Sequence, residues 1–223
     1  MYTLYHSPQA SSTVPMAVLE EIGVPYRVEN VEIRRDRPDE NITRPEYLAI
    51  NPKGRVPALL ADGQVLTECP AILTFLARSH PEAGLIPASA AAEARCHEWM
   101  YWLATGVHAT AFSQAVRPQR FSAEASDWPR IQSKGKANVG IAFRHAEQLL
   151  VGDGWAVPEG FSIADIYLLW FYVNGLRAGV PMSQVFPKWS AHAEKTASRE
   201  AVHRGFAKAG FALQRQPFGV AAA

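Results

Sequence analysis

The fold is decided by the sequence NPKGRVPAL at residues 51–59, together with LTECPAI at residues 66–72. Gly54 permits a tight approach of the backbone. Pro57 has no N–H, so Val56 is left to offer its own N–H and C=O to a partner outside a sheet. The Val56–Pro57 bond is a candidate cis peptide. The two segments predict a loop, a proline-locked turn, a hairpin and a helix start that form a cradle for an anionic peptide.

A hairpin and a helix start follow the cradle loop. Asp62-Gly63 is a turn dipeptide typical of two-residue hairpins, and Glu68 ends the second strand. Cys69 is expected at the cap position of the next helix, with Pro70 as the first helical residue. Backbone donors and the positive end of the helix dipole meet at this point, so we expect a carboxylate to bind there.

The segments on either side of the cradle predict two domains. Tyr2 to Tyr5 and Tyr26 to Ile33 are predicted strands, joined by a helix that starts at Pro15, which makes a parallel βαβ unit. With the hairpin and its helix, this order predicts an α/β thioredoxin-like domain over residues 1–80. Strand signals nearly vanish after a proline-containing linker, which predicts an all-α domain over residues 89–223.

Long helices dominate the second predicted domain. Apolar residues recur at helical spacing from Ala90 to about Val116 and from roughly Arg130 to Val151, and a third helix is predicted from Ser162. Ser162 and Asp165 resemble a capping box with Asp in the place of Glu. We assign this pair to folding rather than to chemistry.

The charged segment from Arg34 to Tyr47 contains two prolines and predicts a surface loop with one helical turn. The favoured interpretation is a solvated loop. In the alternative, Arg34, Arg35 or Arg37 reaches over a bound anion.

Composition excludes several classes of protein. The 223 residues are 48% hydrophobic and 19% charged, with a formal charge of +1, which is typical of a globular protein and not of a nucleic-acid binder. No apolar run approaches the ~20 residues of a membrane span, and the N-terminus lacks the pattern of a secretory signal, so we expect a cytoplasmic protein. Two cysteines and seven scattered histidines predict neither a disulfide framework nor a metal site.

The cradle resembles the glutathione-binding half of the cytosolic glutathione transferases, which carry an Asn-Pro-Lys-Gly-x-Val-Pro-Ala-Leu loop and a Glu-Ser pair at the next helix start. The resemblance extends over the full chain and implies glutathione as co-substrate. It implies that the Val56 backbone, next to Pro57, pairs with the cysteinyl part of glutathione. It also implies that Glu68 and Cys69 hold the γ-glutamyl end.

The cradle also contains Cys69, Lys53 and Arg55, whose side chains have different expected roles. Cys69 replaces the serine hydroxyl of the family by a weaker thiol donor, while its backbone N–H is unaffected. Lys53 and Arg55 either contact a carboxylate of the ligand or solvate the loop. Arg55 stands where relatives commonly carry Gln.

The segment SPQASSTVP at residues 7–15 resembles the bacterial beta-type transferases, whose Pro-x-Ala-Cys-Ser-x-x-Pro pattern has its active cysteine at the position of Ser11. A serine cannot exchange disulfides, but its hydroxyl can donate a hydrogen bond to the glutathione thiolate. Ser11 is therefore the predicted catalytic group. Ser12, Thr13 and Tyr5 remain alternatives, and the ordinary role of such serines is to cap a helix or a turn.

His108 is the second predicted catalytic residue. The sequence GVHATAF at residues 106–112 resembles the beta-type helix in which a histidine points toward the glutathione sulfur. Tyr101, Thr105 and His108 have the spacing of one helical face. The alternative is an ordinary surface or core histidine. Trp170, Phe171 and Tyr172 are interpreted as core, and lining of a pocket for a second substrate is their alternative role.

The resemblance implies a glutathione S-transferase that acts in detoxification. The glutathione thiolate would attack small, mostly apolar electrophiles, and the family resemblance implies a homodimer. Two other hypotheses remain. One is a binding or assembly protein with weak or no catalysis, since a fold does not fix a function. The other is glutathione-dependent disulfide reduction, which Ser11 disfavours.

Overall fold

The computed structural model describes residues 1–33, 44–151, 154–215 and 218–220. Its N-terminal part is a four-stranded mixed sheet in the order β2-β1-β3-β4. The strands are β1 (Tyr2–His6), β2 (Tyr26–Asn30), β3 (Ala58–Ala61) and β4 (Gln64–Thr67). β1 runs parallel to β2 and antiparallel to β3, and β3 and β4 form the predicted hairpin.

Helices account for most of the remaining described chain. They are α1 (Thr13–Ile22), α2 (Pro45–Leu48), α3 (Cys69–Ser79), α4 (Ala90–Trp102), α5 (Ser113–Val116), α6 (Trp128–Leu149), α7 (Ile163–Arg177), α8 (Met182–Val185), α9 (Pro187–Ala197) and α10 (Glu200–Lys208). Short 3₁₀ turns lie at Pro81–Ala83, Pro118–Arg120 and Ala125–Asp127. The thioredoxin-like fold followed by a helical region is confirmed. A short hairpin, β5 (Leu213–Arg215) and β6 (Phe218–Val220), was not predicted.

Local turn chemistry fixes the hairpin of the sheet. Asp62 and Gly63 have φ of 48° and 80°, the left-handed pair that a type I′ turn requires. β2 ends at Asn30, three residues before the predicted end. The reason is that β1 ends at His6, whose carbonyl accepts the Val31 N–H at 2.7 Å, so later residues have no strand to pair with.

The predicted helix from Ala90 to Val116 is interrupted by a π-helical segment at Leu103–Phe112, between α4 and α5. Two hydroxyls follow its wider hydrogen-bonding pattern. Thr110 Oγ1 donates to the Thr105 carbonyl at 2.9 Å, and Ser113 Oγ donates to the His108 carbonyl at 3.2 Å, each five residues back. A π-helix of this length is rare, and shorter ones occur mostly at functional sites.

Buried apolar residues recur along the π-helical segment. Leu103, Val107 and Ala111 are buried at intervals of four residues. In an α-helix of 3.6 residues per turn, each such interval turns the side chain by ~40° away from the previous one. All three side chains are nevertheless buried in this segment.

The capping box at the start of α7 is confirmed. The fully buried Asp165 carboxylate accepts from the Ser162 N–H at 2.7 Å, from the Ala156 N–H at 2.7 Å and from His192 Nε2 at 2.7 Å. These bonds tie α7 to α9 and to the preceding loop. Among the described residues, no helix is long and apolar enough to cross a membrane.

Residues 34–43, which include Arg34, Arg35 and Arg37, lie outside the described part of the chain. The predicted helical turn near the end of that segment is α2, which begins at Pro45.

Close packing of α10 on α1 depends on a glycine. A Cβ added at Gly205 would lie 2.4 Å from the Ala17 Cα, which is backbone of the buried helix α1 and cannot yield. We expect Gly205→Ala to lower the free energy of unfolding by ~1–3 kcal/mol, measured by urea denaturation.

Gly140→Ala in α6 is the matched control. A Cβ there meets only Arg144 Nη1, at 3.6 Å, so the greater helix propensity of alanine should raise stability by ~0.5–1 kcal/mol. Equal effects of the two substitutions would contradict the packing argument.

Candidate functional site

A cleft of about 690 Å³ lies between the thioredoxin-like part and the helical part. Seven of the eight predicted site residues line it: Ser11, Arg55, Val56, Pro57, Glu68, Cys69 and His108. They come from the start of α1, the cradle loop, the start of α3 and the π-helical segment. Residues far apart in the chain are thus brought to one cleft.

The cradle loop is held by its own buried polar side chain. Asn51 Nδ2 and the Tyr47 hydroxyl both donate to the Arg55 carbonyl at 2.6 Å. The Val56–Pro57 peptide is cis, as predicted. Neither the N–H nor the C=O of Val56 bonds to backbone in the described chain, so both groups stay available to a ligand.

Lys53 is the eighth predicted site residue, and it is not among the described residues that line the cleft. Its Nζ lies 2.5 Å from Glu68 Oε1 and 2.7 Å from Thr67 Oγ1. Because both charged side chains are about half exposed or more, the pair contributes at most ~1 kcal/mol to stability. Lys53 therefore contacts Glu68, which lines the cleft, but does not line the cleft itself.

The start of α3 differs by one residue from the prediction. Glu68, not Cys69, is the cap residue, and Pro70 is the second helical residue. Glu68 adopts φ 71°, which is uncommon for a residue with a side chain, and this conformation turns the chain from β4 into α3 within one residue. Cys69 is the first helical residue, and its backbone N–H is one of the donors that a helix leaves unpaired.

Cys69 is a buried structural thiol. Its Sγ donates to the Ser11 carbonyl at 3.8 Å, and the Tyr167 hydroxyl lies near enough to influence the thiol. Burial is the main cause that raises the pKa of this thiol well above its usual range, and the Glu68 carboxylate adds to it. Cys69 therefore stays protonated and is unsuited to nucleophilic chemistry.

Four hydroxyl groups were candidates for the catalytic position, and they have different surroundings. Ser12 Oγ bonds His6 Nδ1 at 2.8 Å, Thr13 Oγ1 donates to the Ala10 carbonyl at 2.7 Å, and Tyr5 packs on the Tyr47 ring. Of the four, Ser11 alone is among the described residues that line the cleft, and it is 6% exposed.

His108 enters the cleft from the π-helical segment. Its ring lies edge-on to Trp170 at 5.2 Å and to Phe171 at 6.1 Å. Burial, with the nearby Arg117, Arg120 and Arg55 guanidinium groups as further causes, lowers the pKa of His108 to about 4. The imidazole is therefore neutral at pH 7.

The predicted face of Tyr101, Thr105 and His108 is not formed. Tyr101 is 56% exposed, and its ring stacks on His97, while Thr105 is also exposed. The prediction assumed α-helical spacing, and the π-helical segment turns His108 away from the two other residues. His108 faces the cleft without them.

Several residues of the cleft were not predicted. Tyr167 and Asn174 come from α7, Arg177 from its end, and Arg117 and Arg120 from the turn after α5. Of the predicted core aromatics, Trp170 also lines the cleft, whereas Phe171 and Tyr172 are fully buried. Among these residues, only Arg117 and Arg120 stand out in the sequence, as a pair of basic residues at the two ends of RPQR, residues 117–120.

Comparisons with known proteins show what this chain is similar to. Residues 11–79 match the family described as Glutathione S-transferase, N-terminal domain. Glutathione S-transferase GstA of Escherichia coli O157:H7 is 31% identical over 168 residues, which cover 74% of this chain and 78% of the relative. A glutathione transferase homologue from Sulfitobacter, solved with bound glutathione, superposes with a TM-score of 0.82 at 33% identity over 93% of this chain and 98% of that one. The beta-class transferase of Sphingomonas chungbukensis superposes with a TM-score of 0.77 at 28% identity, with the same coverage.

His6 makes the free energy of unfolding of the protein depend on pH. The ring is 2% exposed, and burial lowers its pKa to about 4, below the ordinary value of 6.5. Between these values the unfolded chain binds more protons than the folded one, so the free energy of unfolding falls as the pH drops from 6.5 to 4. The difference of about 2.5 pKa units corresponds to on the order of 3 kcal/mol.

We expect His6→Asn to be less stable than wild type at pH 7 and to lose less stability on acidification to pH 4.5. Urea denaturation at both pH values measures this. His108 titrates in the same direction, so part of the pH dependence remains. An unchanged pH dependence in the variant would contradict the role of His6.

Proposed function

This chain belongs to the glutathione S-transferase family, and from that premise we propose that it conjugates the glutathione thiolate to small electrophiles. The observation that carries the proposal is the position of Ser11 in the same cleft as Val56, Glu68 and His108. Glutathione is the co-substrate, and the bound glutathione of the Sulfitobacter homologue supports this. The first part of the chain, residues 1–80, binds glutathione, and residues 89–223 contribute the electrophile pocket.

Four residues of the cradle have proposed roles in binding glutathione. The unused backbone groups of Val56 pair with the cysteinyl unit of glutathione, beside the cis Pro57. The Glu68 carboxylate accepts from the γ-glutamyl ammonium group, and the Cys69 N–H at the start of α3 donates to its carboxylate. Lys53 orients the Glu68 side chain by their ion pair.

Ser11 and His108 act on the sulfur. The Ser11 hydroxyl donates a hydrogen bond to the thiolate and so favours its ionised form. His108 lines the same cleft as Ser11. Its neutral ring donates a second hydrogen bond to the sulfur from an imidazole N–H. Binding both substrates in one cleft supplies proximity, the other part of the acceleration.

Two features disfavour glutathione-dependent disulfide reduction. Ser11 has no thiol to form a mixed disulfide, and burial keeps Cys69 protonated. We therefore propose conjugation.

Wild-type protein should not reduce hydroxyethyl disulfide, whereas Ser11→Cys should gain that activity. The binding or assembly function without catalysis predicts no conjugation by wild type.

Ser11→Ala should leave glutathione binding nearly unchanged and lower the rate of aryl-halide conjugation about 10- to 100-fold at pH 7. The reason is that a hydrogen bond to a charged group is worth ~1.5–3 kcal/mol, or about one to two units in the pKa of the bound thiol. Calorimetry measures binding, and the pH dependence of kcat/KM measures the thiol pKa.

Ser133→Ala, at an exposed position of α6, is the matched control and should behave as wild type. An unshifted thiol pKa in Ser11→Ala would remove Ser11 from the mechanism. His108→Asn tests the second donor in the same assay, with Ser11 intact. If wild type binds no glutathione, the enzyme proposal itself is wrong.

We propose that the protein is a homodimer of the cytoplasm. Both cysteines are buried free thiols, which suits a compartment kept reduced by glutathione. Light scattering after size exclusion should give the mass of two chains of 24.5 kDa each. A single-chain mass at micromolar concentration would contradict the dimer.

A further inference from the structure

Gln9 connects the loop before α1 to the end of the last helix. Its backbone N–H donates to the Ala209 carbonyl at 2.9 Å, and its side-chain Nε2 donates to the Gly210 carbonyl at 3.0 Å. Gln9 also lines the same cleft as Ser11. One residue of the cleft is thus bonded twice to a segment that lies about 200 positions later in the chain.

The two acceptors are carbonyl groups at the C-terminal end of α10. Gly210 has φ 86°, and its N–H donates to the Ala207 carbonyl at 3.0 Å. The Phe211 N–H donates to the Phe206 carbonyl at 2.9 Å. This is the Schellman pattern of a helix end, beyond which the last carbonyl groups have no donor within the helix. The two amide donors of Gln9 fill that need.

The backbone of Gln9 has a conformation that its residue type disfavours. Pro8 and Gln9 are the central residues of a turn, which the Ala10 N–H closes on the Ser7 carbonyl at 3.1 Å. Gln9 has φ 62°, and a positive φ at this position of a turn favours glycine. A residue with a side chain keeps such a conformation only where its surroundings hold it. The two bonds to the end of α10 supply that hold.

A short, well-bonded segment leads from the turn to Ser11. Ala10 alone lies between Gln9 and Ser11. The Ala10 carbonyl accepts from the Thr13 N–H at 3.0 Å and from Thr13 Oγ1 at 2.7 Å. The Val14 N–H donates to the Ser11 carbonyl at 3.1 Å. A shift of the turn therefore moves Ser11, and a hydrogen bond weakens steeply once its angle departs from the favoured geometry.

We propose that Gln9 is a positioning residue for Ser11, which it holds in place by anchoring the turn to the C-terminal end of α10. Gln9 acts on the reaction through Ser11 and not by touching the glutathione sulfur. The inference rests on the proposed function. It adds the end of the last helix, residues 209–210, to the parts of the chain on which stabilisation of the thiolate depends.

Gln9→Met tests the anchor, because methionine has a similar length and no N–H donor in its side chain. We expect the pKa of bound glutathione to rise by about 0.5–1 unit and kcat/KM for aryl-halide conjugation at pH 7 to fall about three- to tenfold. Glutathione affinity, measured by calorimetry, should stay nearly unchanged. The ultraviolet absorbance of the thiolate, followed against pH without an electrophile, gives the thiol pKa. Gln148→Met, at an exposed position of α6, is the matched control and should behave as wild type.

A double-mutant cycle separates positioning from direct contact with the ligand. In the Ser11→Ala protein, Gln9→Met should have no further effect on the thiol pKa or on kcat/KM, because the hydroxyl that Gln9 positions is gone. An effect of equal size in both backgrounds would mean that Gln9 contacts the substrates itself, and would overturn the proposal.

Gly210→Ala disturbs the same anchor from outside the cleft, since Gly210 is not among the described lining residues. A Cβ there has room, with Pro8 Cβ at 3.7 Å, but φ 86° is strained for alanine. We expect the same rise in the thiol pKa. Gly23→Ala, at φ 76° and with nothing within 4 Å, is the control at the far end of α1. It should lower stability to urea similarly and leave the thiol pKa unchanged.

The remaining outcomes are distinct from one another. An unchanged thiol pKa in both Gln9→Met and Gly210→Ala, with normal glutathione binding, refutes the positioning role and leaves the transferase function intact. Equal rises in Gly210→Ala and Gly23→Ala would show a general loss of structure and would also refute it. Absence of glutathione binding by wild type refutes the proposed function together with this inference.

Discussion

The cleft depends on the contact between Cys69, Ser11 and Tyr167. Cys69 Sγ donates to the Ser11 carbonyl at 3.8 Å and lies near the Tyr167 hydroxyl, so one buried side chain links the starts of α1 and α3 and faces α7. A thiol is a weak donor, but its large apolar volume suits a site without access to water. The same contact engages the backbone carbonyl of Ser11, a residue that lines the cleft.

A second constraint is that the neighbouring hydroxyl residues before α1 have different hydrogen-bond partners. Ser12 Oγ bonds His6 Nδ1 and accepts from the Ser7 N–H, and Thr13 Oγ1 is bonded to the Ala10 carbonyl. These bonds hold the loop before α1 in place, because each buried polar group that lost its partner would cost ~1–3 kcal/mol. A run of three hydroxyl residues thus contains two that support the loop and one that lines the cleft.

The sequence predicted those parts of the structure that depend on local chemistry. The cis peptide at Pro57, the Asp62-Gly63 hairpin and the Ser162 capping box each involve residues a few positions apart. The start of α3 was misplaced because the left-handed conformation of Glu68 is not signalled by its residue type. The π-helical segment is not signalled by its residue types, and the cleft gathers residues from several separate elements. Neither was predictable from spacing alone.

The electrostatics of the cleft are nearly constant over the neutral pH range. Arginine side chains remain charged at any pH at which the protein is folded. The pKa of His108 is lowered to about 4, so its ring stays neutral above that value. Under the proposed function, the thiol of glutathione is then the group near the reacting position whose charge changes at neutral pH. The pH dependence of conjugation would then follow the ionisation of that thiol rather than that of His108. The hydrogen bond proposed from Ser11 would favour the thiolate over this whole range, because a serine hydroxyl carries no charge that changes with pH.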